Sequence, residues 1–290
     1  MKMKIVSFRL FDIANVTLML CLMWVMAYPL LYVTSASISN VAHVVNGNVK
    51  LWPIDITFVA YERVFQDDYI WISYWNTIRY TLVQTALTLL VTAMMAYPLA
   101  KRRLLGRRAI LLFAAFTMLF NGGLIPTYLA VKYTGLLNTM WAVIVPTLVN
   151  TWYLFIMRTF FEQLPEELEE AATIDGCSTI GILFRIMLPL SKPVLMTVGL
   201  YTAVTQWNSF FDAMIYLNQK DLYPLQIHLR NIIIAGTASV QPDAGGDGEL
   251  KLLETVKYST IMVATLPILF VYPFIQKYFV QGSLIGGIKG

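Results

Sequence analysis

Four carboxylates stand within five residues at Glu166, Glu167, Glu169 and Glu170. Carboxylates so close together could serve acid–base chemistry or hold a metal ion, but either use needs partners such as imidazole, thiolate or a nucleophile. No imidazole lies nearby, and the one thiol in the segment, Cys177, stands alone. His43 and His228 sit in separate polar stretches, and Cys21 and Cys177 lie far apart, so neither a metal-binding spacing nor a disulfide framework is expected. No catalytic residues are assigned. The chemistry left to the cluster is recognition by charge and shape. It opens a polar segment, 165–193, whose further landmarks are Ala171-Ala172, Asp175-Gly176 and Leu188-Pro189.

Local rules give that segment a form. Pro165 suits the first turn of a helix, where its missing N–H costs nothing. The glutamates that follow lie near the positive end of the helix dipole. Ala171 and Ala172 offer a flat face without large apolar side chains, which a partner can approach closely. Gly176 supplies the left-handed residue that ends a helix, and Ser178 can cap a second one through Arg185 to Met187, which Pro189 interrupts. A lipid-bound amphipathic helix is the competing reading, but four glutamates in five residues would be repelled by anionic lipid. A docking surface for a soluble partner fits better.

The elements around this segment belong in a bilayer. Hydrophobic residues make up 58% of the 290 residues and charged residues 13%, about half the charged share of a soluble domain. Six apolar segments, at about 11–33, 77–99, 109–130, 136–157, 189–211 and 258–276, each approach the roughly 20 residues that cross the hydrocarbon core. The first follows Lys2, Lys4 and Arg9, but it is too long for a signal peptide and lacks a small-residue cleavage site, so it reads as a retained span. With the N-terminus inside, 13 of the 21 Lys and Arg residues fall on the cytoplasmic side, five of them in KRRLLGRR (101–108). Both termini and the glutamate cluster are then cytoplasmic. The net charge of +4 is too small to suggest nucleic acid.

The spacing of the polar segment is that of a family motif. Glu170-Ala171-Ala172, three residues, Gly176, nine residues, Ile186, one residue and Leu188-Pro189 resemble the EAA motif of permease subunits in binding-protein-dependent ABC importers. FNGGLIPTYLAVKYTGLLNT (120–139), WNSFFDAMIYL (207–217) and the C-terminal GSLIGGIKG extend the resemblance to the carbohydrate branch. The similarity is greatest to the smaller permeases of maltose-type and, through GGLIPTYL, alginate-type systems. It implies an all-α, multi-pass permease of the type I fold in a bacterial cytoplasmic (inner) membrane, one transmembrane domain over 1–290, with a cytoplasmic coupling helix.

The resemblance also implies partners and roles. The chain has no GxxxxGK[ST] loop, so ATP and magnesium are expected on two partner ATP-binding subunits and no cofactor on this chain. A homologous second permease, an extracytoplasmic solute-binding protein and a saccharide complete the assembly. Glu170, Ala171, Ala172, Asp175, Gly176, Ile186, Leu188 and Pro189 are the expected ATPase-coupling residues. Asn121, Gly122 and Gly123, with Trp207, Asn208, Ser209 and Asp212, are candidates for the sugar path, since polar groups within spans are costly unless they meet protein or water. Interhelical packing explains the same residues equally well. Asp243, Gly245, Gly246 and Asp247 form a candidate loop toward the binding protein, with a solvated loop as the alternative. An alginate-like acidic saccharide is the leading substrate, a neutral oligosaccharide the alternative. A self-contained secondary transporter would leave the EAA segment unexplained, and a membrane enzyme lacks the residues.

Overall fold

The computed structural model describes residues 2–238, 252–270 and 273, and all its regular structure is helical. Three helices are long and apolar enough to cross a membrane over Phe11–Ser37, Asp68–Ala100 and Leu252–Phe270. Three further pairs pass the same test but are bent: Arg107–Leu119 with Leu124–Tyr133 by 114°, Met140–Thr147 with Thr151–Phe161 by 53°, and Thr179–Leu190 with Lys192–Trp207 by 83°. Among the described residues the candidate spans therefore number three, or up to six if each bent pair is one span.

The described chain divides into two compact units, one from Met1–Ile70 with Leu229–Leu266, the other from Trp71–His228 with Pro267–Gly290. In the first unit the Phe11–Ser37 stretch is apolar and its most hydrophobic part is unburied. Among the described side chains its far end packs, where Ala36, Val44 and Val49 form a small core beside Tyr258. Ser35, Ser37 and Ser39 are buried there and all hydrogen-bonded: Ser35 donates to the Leu51 carbonyl at 2.6 Å, Ser37 pairs with Tyr61 at 2.9 Å, and Ser39 donates to the Ser35 carbonyl at 2.6 Å. The polar stretch after the first span is thus folded, with short helices at Val41–Val45 and Val59–Phe65.

The second unit holds the polar segment. Its largest core joins Ala93, Ala96, Tyr97 and Ala100 to Leu154, Met157 and Phe161, and these to Ala172, Leu183, Met187, Val194 and Val198. Small residues allow close approach. A Cβ on Gly199 would come within 3.4 Å of Leu89 Cδ1, so the Lys192–Trp207 helix lies close against the Asp68–Ala100 helix at that point. A second core, Tyr80, Val143, Ala213, Leu217 and Ile227, forms nearer the start of the Asp68–Ala100 helix. There Asn76 donates to the Asp221 carbonyl at 2.7 Å, Tyr80 donates to Leu222 at 2.9 Å, and Thr77 Oγ1 accepts from the Leu225 amide at 2.8 Å. These bonds fix the 220–225 stretch to the helix.

Candidate functional site

The polar segment forms a short helix, Glu167–Ile174, ending in a left-handed turn. Gly176 has φ +77°; its amide donates to the Thr173 carbonyl at 3.0 Å and the Cys177 amide to Ala172 at 2.9 Å. Those two bonds satisfy carbonyls that a helix end leaves open, in the pattern of a Schellman motif. A Cβ on Gly176 would meet nothing within 4 Å, so its requirement for glycine is conformational. Gly181 differs: its Cβ would lie 2.8 Å from Cys177 Sγ. Ser178 caps the next helix, accepting from the Gly181 amide at 3.2 Å.

The two alanines of the motif part company. Glu170, Ala171, Asp175 and Gly176 are exposed, whereas Ala172 is 8% exposed and packs inward in the core that holds Tyr97, Phe161 and Leu183. Neighbouring helical residues point about 100° apart, so a single flat face cannot contain both. The outer face also carries large apolar side chains, Leu168 and the 86%-exposed Ile174, contrary to its reading as a surface without them. Ile186 and Leu188 are half-buried and Pro189 exposed. Pro189 does not end its helix. The backbone widens into a π turn over Leu183–Met187, the helix continues through Leu190, and the bend falls at Ser191. A proline lacks an amide to donate backward and crowds the preceding turn, which a π turn accommodates.

Glu169, adjacent to the motif, turns the other way from Glu170. It is 8% exposed and ion-paired with Lys101, whose ammonium also lies 4.9 Å from the Tyr97 ring centroid. Next to this pair, Arg107 and Arg158 both bind Glu162, the second at 2.5 Å, and both donate through Nε to the Leu99 carbonyl at 2.8 and 3.2 Å. Leu99 lies in the last turn of its helix, where carbonyls lack partners within the helix.

The path candidates fall at chain breaks. Asn121, Gly122 and Gly123 are exposed and make the 114° turn: Asn121 Oδ1 accepts from the Gly123 amide at 2.9 Å, and Gly123 has φ +86°. Asn208 caps the Lys192–Trp207 helix and donates its side-chain amide to the Val204 carbonyl at 2.8 Å. Ser209 is half-buried in the following turn, and Asp212 belongs to a separate helix, Phe211–Tyr216. Trp207 meets Tyr74 edge-on with centroids 6.4 Å apart, and its Nε1 is buried without an acceptor. The Asp243, Gly245, Gly246 and Asp247 loop lies outside the described residues.

With this geometry in place, comparison with known proteins is decisive. The family of binding-protein-dependent transport system inner membrane components matches residues 5–284. The chain belongs to that family. This inner membrane component is 41% identical over 284 residues to the polygalacturonan/rhamnogalacturonan transport system permease protein YtcP of Bacillus subtilis, covering 97% of this chain and 99% of the relative. It is 43% identical over 282 residues to Protein LplC of the same organism, covering 97% and 96%. A solved bacterial ABC transporter involved in import of the acidic polysaccharide alginate contains a chain that superposes with a TM-score of 0.87 at 37% identity, covering 94% of this chain and 98% of that one. The fold is that of an all-helical ABC permease, and the protein is a membrane component of its transporter.

Several residues of this inner membrane component escape a motif-based reading. Lys101, Tyr97 and Glu169 are one group, linked across 68 positions of sequence. Gln84 and Thr88 are another. Their signal was present as a polar stripe, Thr77, Thr81, Gln84, Thr88 and Thr92, spaced three or four residues apart within an apolar segment and all buried.

Proposed function

We propose that this chain is the permease of an ATP-driven importer of acidic saccharides, forming half of a path completed by a homologous permease. The observation that carries the reading is the Glu167–Ile174 helix, with Glu170, Ala171, Asp175 and Gly176 open to a partner and Glu169 and Ala172 turned toward the spans. In this reading two cytoplasmic ATPase subunits bind ATP and magnesium and dock on that open face. An external binding protein delivers the solute, with the Asp243–Asp247 stretch as its contact. Each bent helix pair counts as one span, which makes six, with both termini cytoplasmic. The basic residues of KRRLLGRR support this orientation, because they stand beside the docking helix through Lys101.

The substrate class rests on two relatives. One is named for polygalacturonan, a uronic acid polymer, and the matched solved transporter imports the acidic polysaccharide alginate. Trp207, Asn121 and Asp212 are the proposed contacts along the path, the tryptophan offering a ring face to a sugar.

The test is reconstitution with the partner permease, ATPases and binding protein in proteoliposomes. ATP-dependent uptake of oligogalacturonate or oligoalginate is expected to exceed uptake of arabino-oligosaccharides. A preference for the neutral sugars would replace the acidic substrate class. Absence of ATP-dependent uptake for every saccharide would remove the importer reading.

A further inference from the structure

The docking helix has two carboxylates side by side with opposite surroundings. Glu170 is exposed and available to a partner, while Glu169 is almost fully buried and committed to Lys101. Lys101 is the residue immediately after the Asp68–Ala100 helix, and its amide closes that helix on the Pro98 carbonyl at 3.1 Å. A cation there is favoured by the helix dipole and by the Tyr97 ring beneath it. The pair therefore joins the docking helix directly to the end of a 33-residue helix. Nearby, a cavity of about 550 Å³ is lined by Met94, Pro98, Leu104 and Leu105 together with Thr179 and Ile180. Tyr97 and Leu183, which also line it, belong with Ala172 to the apolar core, so the polar tie at Lys101 adds to that contact. Glu169 is held on its own helix as well, since Thr173 Oγ1 donates to its carbonyl at 2.7 Å.

We infer that the Lys101–Glu169 pair is the joint that carries motion of the docking helix into the Asp68–Ala100 helix, Glu169 and Lys101 acting as positioning residues for transport. The inference rests on the importer reading above. The neighbouring Arg107–Glu162–Arg158 cluster serves a different end. It binds Leu99 to the Thr151–Phe161 helix, and these bonds do not involve the docking helix. Within this arrangement Glu170 meets the ATPase and Glu169 passes the displacement on. Loss of the joint leaves docking and hydrolysis in place but separates them from the span.

The experiment uses the complete reconstituted transporter with Glu169→Gln, Lys101→Met and the exchanged pair K101E/E169K. Saccharide taken up per ATP hydrolysed is expected to fall roughly tenfold in each single variant, as for a coupling free energy in the usual range. Co-purification of the ATPase subunits should be unchanged, and the exchanged pair should recover much of the ratio. A second readout needs no saccharide: Ile72→Cys, at the other end of the same helix, is alkylated with and without ATP and vanadate. A nucleotide-dependent change is expected in the native background and should disappear with Glu169→Gln. An unchanged uptake ratio, an exchanged pair no better than the singles, or loss of assembly in Glu169→Gln would each overturn the inference. Absence of any nucleotide-dependent change in the native background would instead sink the importer reading.

Discussion

Gln84 donates its side-chain amide to Thr147 Oγ1 at 3.2 Å, where the Met140–Thr147 helix gives way to the break before Thr151–Phe161. One turn along, Thr88 donates to the freed Leu148 carbonyl at 3.3 Å. A break within an apolar layer exposes backbone groups that must find partners, and here they come from the neighbouring helix. Gln84 Oε1 itself is buried without a donor, which carries a desolvation cost of about 1–3 kcal/mol. Gln84→Leu removes that orphan along with the Thr147 bond, of a kind that averages about 0.6 kcal/mol between membrane helices, and a 3.4 Å bond to Thr88 within its own helix. The variant is therefore expected to match or exceed the native thermal stability while transport falls, because the break loses its clamp. Melting in detergent and uptake in proteoliposomes check the two halves of this prediction separately.

The divergence of Ala171 and Ala172 gives a paired test of the docking face. Ala171→Glu changes an exposed position and should move stability by no more than about 0.5 kcal/mol. Its effect belongs in assembly: a bulky charge on the contact face should reduce recovery of ATPase subunits on an affinity-tagged permease. Ala172→Leu overfills a packed site between Tyr97 and Leu183 and should cost about 1–3 kcal/mol. If both variants lowered the melting temperature and neither affected assembly, the outer face would not be the docking surface.

Gly176 tests shape without crowding. Since nothing stands within 4 Å of a Cβ there, the cost of Gly176→Ala is the left-handed backbone, roughly 1–2 kcal/mol. Gly176→Asn should cost less, because asparagine visits that region more readily. Ranking Gly, Asn, Ala by melting temperature and by uptake per ATP is the expected result. An equal loss for Asn and Ala would point to a contact made by the glycine rather than to its φ angle.

How much of this was legible in the sequence depends on the range of the forces involved. The turn at Gly176 and the cap at Ser178 follow from rules acting within a few residues, and both are present. Lipid requires long apolar runs, so helices of spanning length show plainly in composition. The bends do not, because Gly123, Asn150 and Ser191 mark breaks that are stabilised partly by residues elsewhere, such as Gln84 and Thr88. Pro189 misleads for a related reason, since a π turn absorbs it and moves the bend to Ser191. The distinction between Glu169 and Glu170 was the least legible. It depends on Lys101, a residue 68 positions away, and on the rotation of the helix about its axis. The resemblance to a permease marks Glu170 as functional, but it does not say which neighbour is buried.

Asp212 carries the pH-dependent prediction. It stands in the Phe211–Tyr216 helix, outside the candidate spans, and burial pushes its carboxyl above the usual 3.8. Burial, with the Asp212 charge added, likewise pushes the Tyr216 hydroxyl up. A carboxyl whose folded pKa is raised holds its proton more tightly folded than unfolded. Stability then falls as pH rises from 3.8 through the raised value, and the loss persists above it. Asp212→Asn removes that dependence. Its melting temperature should exceed the native one near neutral pH, and the difference should shrink as pH falls toward about 4. A transport readout separates a path residue from a structural one. A carboxylate on the path repels an anionic saccharide, so Asp212→Asn should lower the apparent KM for oligogalacturonate at neutral pH and leave that for a neutral oligosaccharide unchanged. A stability shift with no change in either KM would place Asp212 in the packing of the Tyr216 helix and take it off the path.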